Sequence, residues 1–253
     1  MDDTTCRTIS HASIAAPATA ARLLTDGFTM VRYDHGFRYD AGVFDIDSTL
    51  SPDDLIALVH RQARCWGRST VWWHGVSPAT GPTALRDALV AVGGVVAAQH
   101  TVLERELMRR GQEGVPDPLL SVTRLHAGAL PGVRRLLALE QHEDTDLDLS
   151  RRHCVSIHPS ETHVLARLQG KPVGTAAVSF AGGDEAHLWG AATACWARRR
   201  GVYHALVTAR LDLARRRGCR VAILRAHPRM APTLAEMGFG TRCEELLMRT
   251  TLR

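Results

Sequence analysis

One stretch of the chain, HLWGAATACWARRRGVYH at residues 187–204, holds the side chains best suited to chemistry. His187 has an unperturbed pKa of about 6.5, so it can accept a proton at neutral pH. Glu185 stands two residues earlier and is the competing carboxylate base. On an extended strand Glu185, His187, Trp189, Ala191 and Thr193 fall on one face. Arg198, Arg199 and Arg200 then gather positive charge, and Gly201 allows a ligand to approach the backbone.

The surrounding elements position these groups. Residues 187–193 read as a buried strand, bounded by the turn material at 181–184. From Val202 the apolar period is helical, with Val202, Ala205, Leu206, Ala209, Leu213 and Ala214 on one stripe and Arg210 among the polar positions. Arg215-Arg216-Arg217-Gly218 marks the stop. A helix that starts after a basic loop offers unpaired N–H groups and partial positive charge, which suit a pyrophosphate. Small side chains at Ala191, Ala192 and Thr193 suit close approach of a ligand.

Before this stretch, 119–125 reads as a strand and 132–142 as a helix. Asp144, Asp146 and Asp148 follow in an acidic loop that would attract a cationic amine if it faced the cleft. Residues 162–168 and 173–180 form a hairpin around Gln169-Gly170-Lys171-Pro172. After the helix come a strand at 219–226, a short helix ending at Phe239 and a final strand at 244–251. The first half alternates in the same way. A strand at 42–46 leads to a helix at 53–66, opened by Ser51-Pro52. A strand at 70–75, a helix from Gly81-Pro82 to Val92 and a strand at 101–108 complete it. Trp72 and Trp73 read as core or interface residues. Residues 1–20 read as a loose arm, and the Gly/Pro-rich 111–118 as a linker. The expected domains are therefore 1–110 and 119–253, in the α/β (α+β) class.

Arg198-Arg199-Arg200-Gly201-Val202-Tyr203 resembles the Gln/Arg-x-x-Gly-x-Gly/Ala loop of the GCN5-related N-acetyltransferases (GNAT), with Tyr203 in place of the last small residue. Leu234-Ala235-Glu236-Met237-Gly238-Phe239 resembles that family's Tyr-x-x-Leu-Gly-Phe. Order and type of elements agree from 162 to 251. The resemblance implies a GNAT fold, a mixed and mostly antiparallel sheet flanked by helices, in a tandem of two GNAT-like domains. The first of these is degenerate, since it lacks the loop. It implies acetyl-CoA as cofactor, held by Ala191, Ala192, Thr193, Arg198, Arg199, Arg200, Gly201, Val202, Tyr203 and His204. His187, eleven residues before Arg198, falls where several members place a base. Leu234 replaces the tyrosine that protonates the leaving thiolate, and only Tyr33, Tyr39 and Tyr203 exist as tyrosines. Cys195 stands where a proline is common.

The function expected is acetyl-CoA-dependent N-acetylation of a small-molecule amine, such as an amino sugar, amino acid or amine-bearing natural product. Two alternatives are a catalytically weak acyl-CoA-binding regulatory module and a protein N-acetyltransferase. At 253 residues and net charge +5, the chain is 45% hydrophobic and 23% charged, ordinary for a globular protein. Its basic residues, all arginine except Lys171, have no aromatic platform beside them, which argues against a nucleic-acid partner. Lack of a long apolar run argues against a membrane partner, and Met1-Asp2-Asp3 is not a signal-peptide start. The six cysteines form no Cys-x-x-Cys, so free thiols, no metal and a cytoplasmic setting are expected. A homodimer stays open.

Overall fold

The computed structural model describes residues 20–33, 40–107, 119–125, 161–180 and 184–252. The expected arm (apart from Ala20), the linker, the helix at 132–142, Tyr39 and Asp144, Asp146 and Asp148 lie outside the described residues. The remaining expected strands and helices all form, with shifted ends. In order they are β1 Ala21–Leu24, β2 Thr29–Arg32, β3 Ala41–Phe44, α1 Pro52–Cys65, β4 Thr70–Val76, α2 Leu85–Ala91 and β5 Val95–Glu106. Then follow β6 Leu120–Leu125, β7 Glu161–Leu168, β8 Lys171–Ser179, β9 Glu185–Thr193, α3 Val202–Arg216, β10 Val221–Ala226, α4 Ala231–Glu236 and β11 Gly240–Thr251. The strands form a mixed, mostly antiparallel sheet architecture flanked by helices, which is the fold expected.

Two compact units emerge, and neither is one continuous segment. The first comprises 1–102, 226–229 and 242–253, and the second 103–225 and 230–241. The final strand, expected to close the second domain, pairs antiparallel with β4 from Leu246↔Val76 to Thr251↔Thr70. The reason is that β4 is buried, so the backbone N–H and C=O groups along both of its edges need partners. β3 pairs with one edge in parallel, β11 takes the other, and Met248 enters the core that holds Val71 and Trp73.

In the first unit α1 covers this core with Leu55, Ile56, Val59 and Ala63. Trp72 and Trp73 are both core residues. Ser51 caps α1, its Oγ accepting from Asp54 N at 3.2 Å, with Pro52 at the first turn and Asp53 and Asp54 beside it. α2 starts later than the sequence suggests, because Ala84 is held at φ +67° ahead of it.

In the second unit β6 to β9 run antiparallel as neighbours, and β10 lies parallel beside β9. The β7–β8 turn puts Gln169 at φ +51° and Gly170 at φ +80°, the paired positive values a tight hairpin requires. Helix α3 buries Val202 and Leu206 against Val164, Ala166, Val173 and Ala176. Cys65, Cys195 and Cys219 are free thiols, whereas Cys243 is disulfide-bonded, which the scattered spacing did not foresee. No helix among the described residues is long and apolar enough to cross a membrane.

Candidate active site

Strand β9 holds the site. Its parallel pairing with β10 runs from Glu185↔Val221 to Leu188↔Leu224 and stops, while β9 itself continues to Thr193. On the other side its register with β8 slips. Trp189 opposes Ala177 and Ala192 opposes Thr175, so Gly190 and Ala191 together face the single residue Ala176. This is a β-bulge, and Gly190 sits in it at φ +62°. A bulge turns backbone groups out of the ladder and re-aims the side chains that follow. Beyond Leu188, then, β10 no longer pairs with that edge of β9, and no other strand among the described residues takes its place.

The bulge corrects one expectation. His187 and Trp189 share a face, but Ala191 and Thr193 do not continue it. Cross-strand partners project to the same side, so Ala192, opposite Thr175, rejoins the His187 face. Thr193, opposite Gly174, turns to the side of α3. The added residue shifts the period of two by one position.

His187 is buried, 7% exposed, and its Nε2 lies 3.6 Å from Oε2 of Glu185. The two base candidates are thus one pair rather than rivals. Ser179 lies opposite His187 on β8 and accepts a hydrogen bond from Trp189 Nε1 at 2.6 Å. Trp189 in turn meets the His163 ring edge-on at 5.7 Å, and His163 Nε2 is 3.8 Å from Glu161 Oε2. Two Glu-x-His pairs therefore flank Ser179 on adjacent strands. Sequence reasoning named only the second. The signal for the first was a histidine at an otherwise apolar strand position.

The loop after β9 builds the second part of the site. Ala194 N donates to Val173 O at 2.9 Å, and a short turn at Cys195–Ala197 follows. Arg199 and Gly201 then adopt φ +63° and +74°. Gly201 is the N-cap of α3 and has no side chain to cap it. A Cβ placed on Gly201 would meet nothing within 4 Å among the described residues. Arg198, Arg199 and Arg200 are exposed around it. Val202 is buried in the core, while Tyr203 and His204 are partly exposed in the first helical turn. The charged loop and the uncapped N-terminus of α3 follow directly on the end of β9.

Gly174 keeps that arrangement in place. A Cβ there would stand 2.9 Å from Val202 Cγ1, 3.0 Å from Ala192 O and 3.1 Å from Leu206 Cδ1. Only glycine lets α3 lie this close to the sheet, and a glycine inside a strand pattern was the available signal. Arg210 also differs from expectation, being wholly buried rather than on the polar face of α3. Burial lowers its pKa to about 10, with Tyr203 acting in the other direction. Burial likewise raises the Tyr203 phenol, partly offset by Arg210. Leu234 is fully buried in α4, so that position supplies no proton donor. Among the described residues no cluster of metal-ligating side chains occurs.

Residues 123–239 match the acetyltransferase (GNAT) family model. No curated protein matches the chain in sequence. Among solved structures, a GCN5-related N-acetyltransferase from Kribbella flavida is similar over 94% of both chains, at 16% identity and a TM-score of 0.68. A tandem GNAT protein from the clavulanic acid biosynthesis pathway, solved without AcCoA, is similar over 99% of this chain and 87% of its own, at 16% identity and a TM-score of 0.65. A functionally unknown conserved protein from Staphylococcus epidermidis is similar over 98% and 99%, at 9% identity and a TM-score of 0.67. These structural likenesses speak for the fold.

Proposed function

We propose, from the premise that the chain carries a GNAT acetyltransferase domain over residues 123–239, that it transfers an acetyl group from acetyl-CoA directly to the amine of a small molecule. The observation that carries the reading is that the uncapped, arginine-flanked start of α3 follows directly on the end of β9, past its pairing with β10. The residues present fit the cofactor. The backbone of Ala191, Ala192 and Thr193 would take its extended arm as an added strand. N–H groups following Gly201, with Arg198, Arg199 and Arg200, would take its phosphates, and Val202, Tyr203 and His204 lie in the same first turn. When bound, acetyl-CoA supplies the activated acyl group.

The chain's own work is orientation and proton transfer. With Glu185 on its Nε2 side, the His187 imidazole would take the amine proton, directly or through one water. The carboxylate holds the ring and stabilises the imidazolium once it forms. Backbone groups at the bulge align the acyl carbonyl and stabilise charge developing on it. The acceptors proposed are amino sugars, amino acids and amine-bearing natural products.

His187→Ala should lower kcat by roughly 10²–10⁴-fold with little change in KM for acetyl-CoA. Activity should partly recover at high pH, where more amine is already neutral. Glu185→Gln should give a smaller loss, since it removes the charge that favours the imidazolium and leaves the ring itself in place. Wild-type turnover in both variants, measured as CoA release across an amine panel, withdraws the base assignment. The buried Leu234 favours one other reading, an acyl-CoA-binding module without efficient turnover. Saturable CoA binding with no release on any amine would favour it.

A further inference from the structure

Arg210 is 0% exposed and lies in the apolar stripe of α3 between Leu206, Val207, Leu211 and Ala214. No hydrogen bond or ion pair joins it to a carboxylate among the described residues. Its partners are backbone carbonyls. Nε donates to Leu206 O at 3.0 Å, and Nη1 donates to Ala177 O and to Trp189 O, each at 3.3 Å. Nη2 has no hydrogen-bond partner among the described residues. An isolated buried cation is costly, so its retention calls for a compensating role.

The two sheet carbonyls it holds belong to directly opposed residues, Ala177 of β8 and Trp189 of β9. They are the last such pair before the bulge at Gly190 and Ala191, and Leu188, one residue earlier, ends the pairing with β10. A bulge leaves acceptors that the ladder no longer satisfies. Nη1 serves both of these carbonyls while Nε, fixed in the same plane, is held by Leu206 O, so one rigid group ties α3 to both strands at once, which the single nitrogen of a lysine on its flexible stem does not reproduce.

We propose that Arg210 is a positioning residue for cofactor binding. It pins the carbonyls of Ala177 and Trp189 toward α3, so that the backbone of residues 190–192 stays turned toward the edge of β9 beyond its pairing with β10. This inference rests on the acetyl-CoA reading of that edge. Because Arg210 acts through the strand, its loss alters affinity and local order, and the chemical groups stay in place.

The test compares Arg210→Lys, Arg210→Met and, as a control for lost packing on the same helix, Leu211→Ala. Calorimetric titration with acetyl-CoA should show Kd raised at least tenfold in Arg210→Lys with unchanged stoichiometry. Leu211→Ala should stay within twofold even where its Tm falls equally. In the cofactor-free proteins, amide exchange at residues 189–192 should speed up tenfold or more in Arg210→Lys and not in Leu211→Ala. If Arg210→Met does not fold, Arg210→Lys decides. If neither folds, the wild-type protein decides, because acetyl-CoA should shift the Arg210 guanidinium resonances. Equal effects in the lysine and control variants, unchanged exchange, or unshifted resonances in cofactor-saturated wild type would overturn the proposal. A wild-type protein that binds no acetyl-CoA but shows the exchange difference would leave the pin standing and remove the cofactor reading.

Discussion

His60 in the first unit shows how one side chain sets a pH limit. Its Nε2 is 2.9 Å from Thr250 Oγ1, which also accepts from Trp73 Nε1 at 3.0 Å. Burial and then the Arg64 charge lower its pKa below the ordinary 6.5. The unfolded chain therefore takes up the proton first as pH falls. Stability present above about 6.5 is lost below it, until the folded state also protonates. We expect Tm to drop between pH 7 and 5, and the drop to be shallower in His60→Gln by scanning calorimetry. Gly201 gives a second residue-scale prediction. At φ +74° a valine would be strained by about 1–3 kcal/mol, and the loop would shift to relieve it. Affinity for acetyl-CoA should fall by roughly tenfold or more with the Tm little changed.

At the scale of elements, two helices with the same place in a strand–helix–strand unit have opposite termini. β3, α1 and β4 form one such unit with parallel strands, and β9, α3 and β10 the other. The start of α1 is sealed by the Ser51 side chain and carries Pro52, Asp53 and Asp54, which repel phosphate and leave it few donors. Phe44 and His74, at the ends of β3 and β4, stack at 4.1 Å. The start of α3 is uncapped and follows three arginines. Titration should accordingly find one acetyl-CoA per chain, and two equivalent sites would contradict this comparison. Much of this was legible. Caps, glycine stops and apolar period gave the helices, and Arg198 to Gly201 gave the loop. The bulge was missed although Gly190 inside the strand was a signal for one, because the glycine does not say by itself whether the ladder slips there. Its register is decided by β8 and by Gly174, whose missing Cβ makes room for α3. Arg210 was misread for a related reason: a propensity pattern takes a charge as solvent-facing, and only the carbonyls of two other strands show where it is satisfied.

The whole molecule departs most from the segment order. Composition places a linker at 111–118, yet 103–107 group with the second unit and 242–253 with the first. Leu107 donates its N–H to Arg220 O at 2.8 Å and accepts from Arg215 Nε at 3.3 Å. A fragment 120–253 would lose those bonds and carry β11 without β4, leaving an unpaired, partly apolar edge. It should be less soluble than the full chain and melt without a single cooperative transition, by light scattering and calorimetry.

The path of β11 also sets a timetable. Residues 242–251 complete the sheet that begins at β1, so the first unit made on the ribosome is not the first unit finished. At about 5–20 residues per second, the tryptophan-lined edge of β4 waits on the order of ten seconds for its partner strand. Through that interval the nascent chain presents Val71, Trp73 and Val76 to whatever apolar surface is near, and holdase chaperones have their window there.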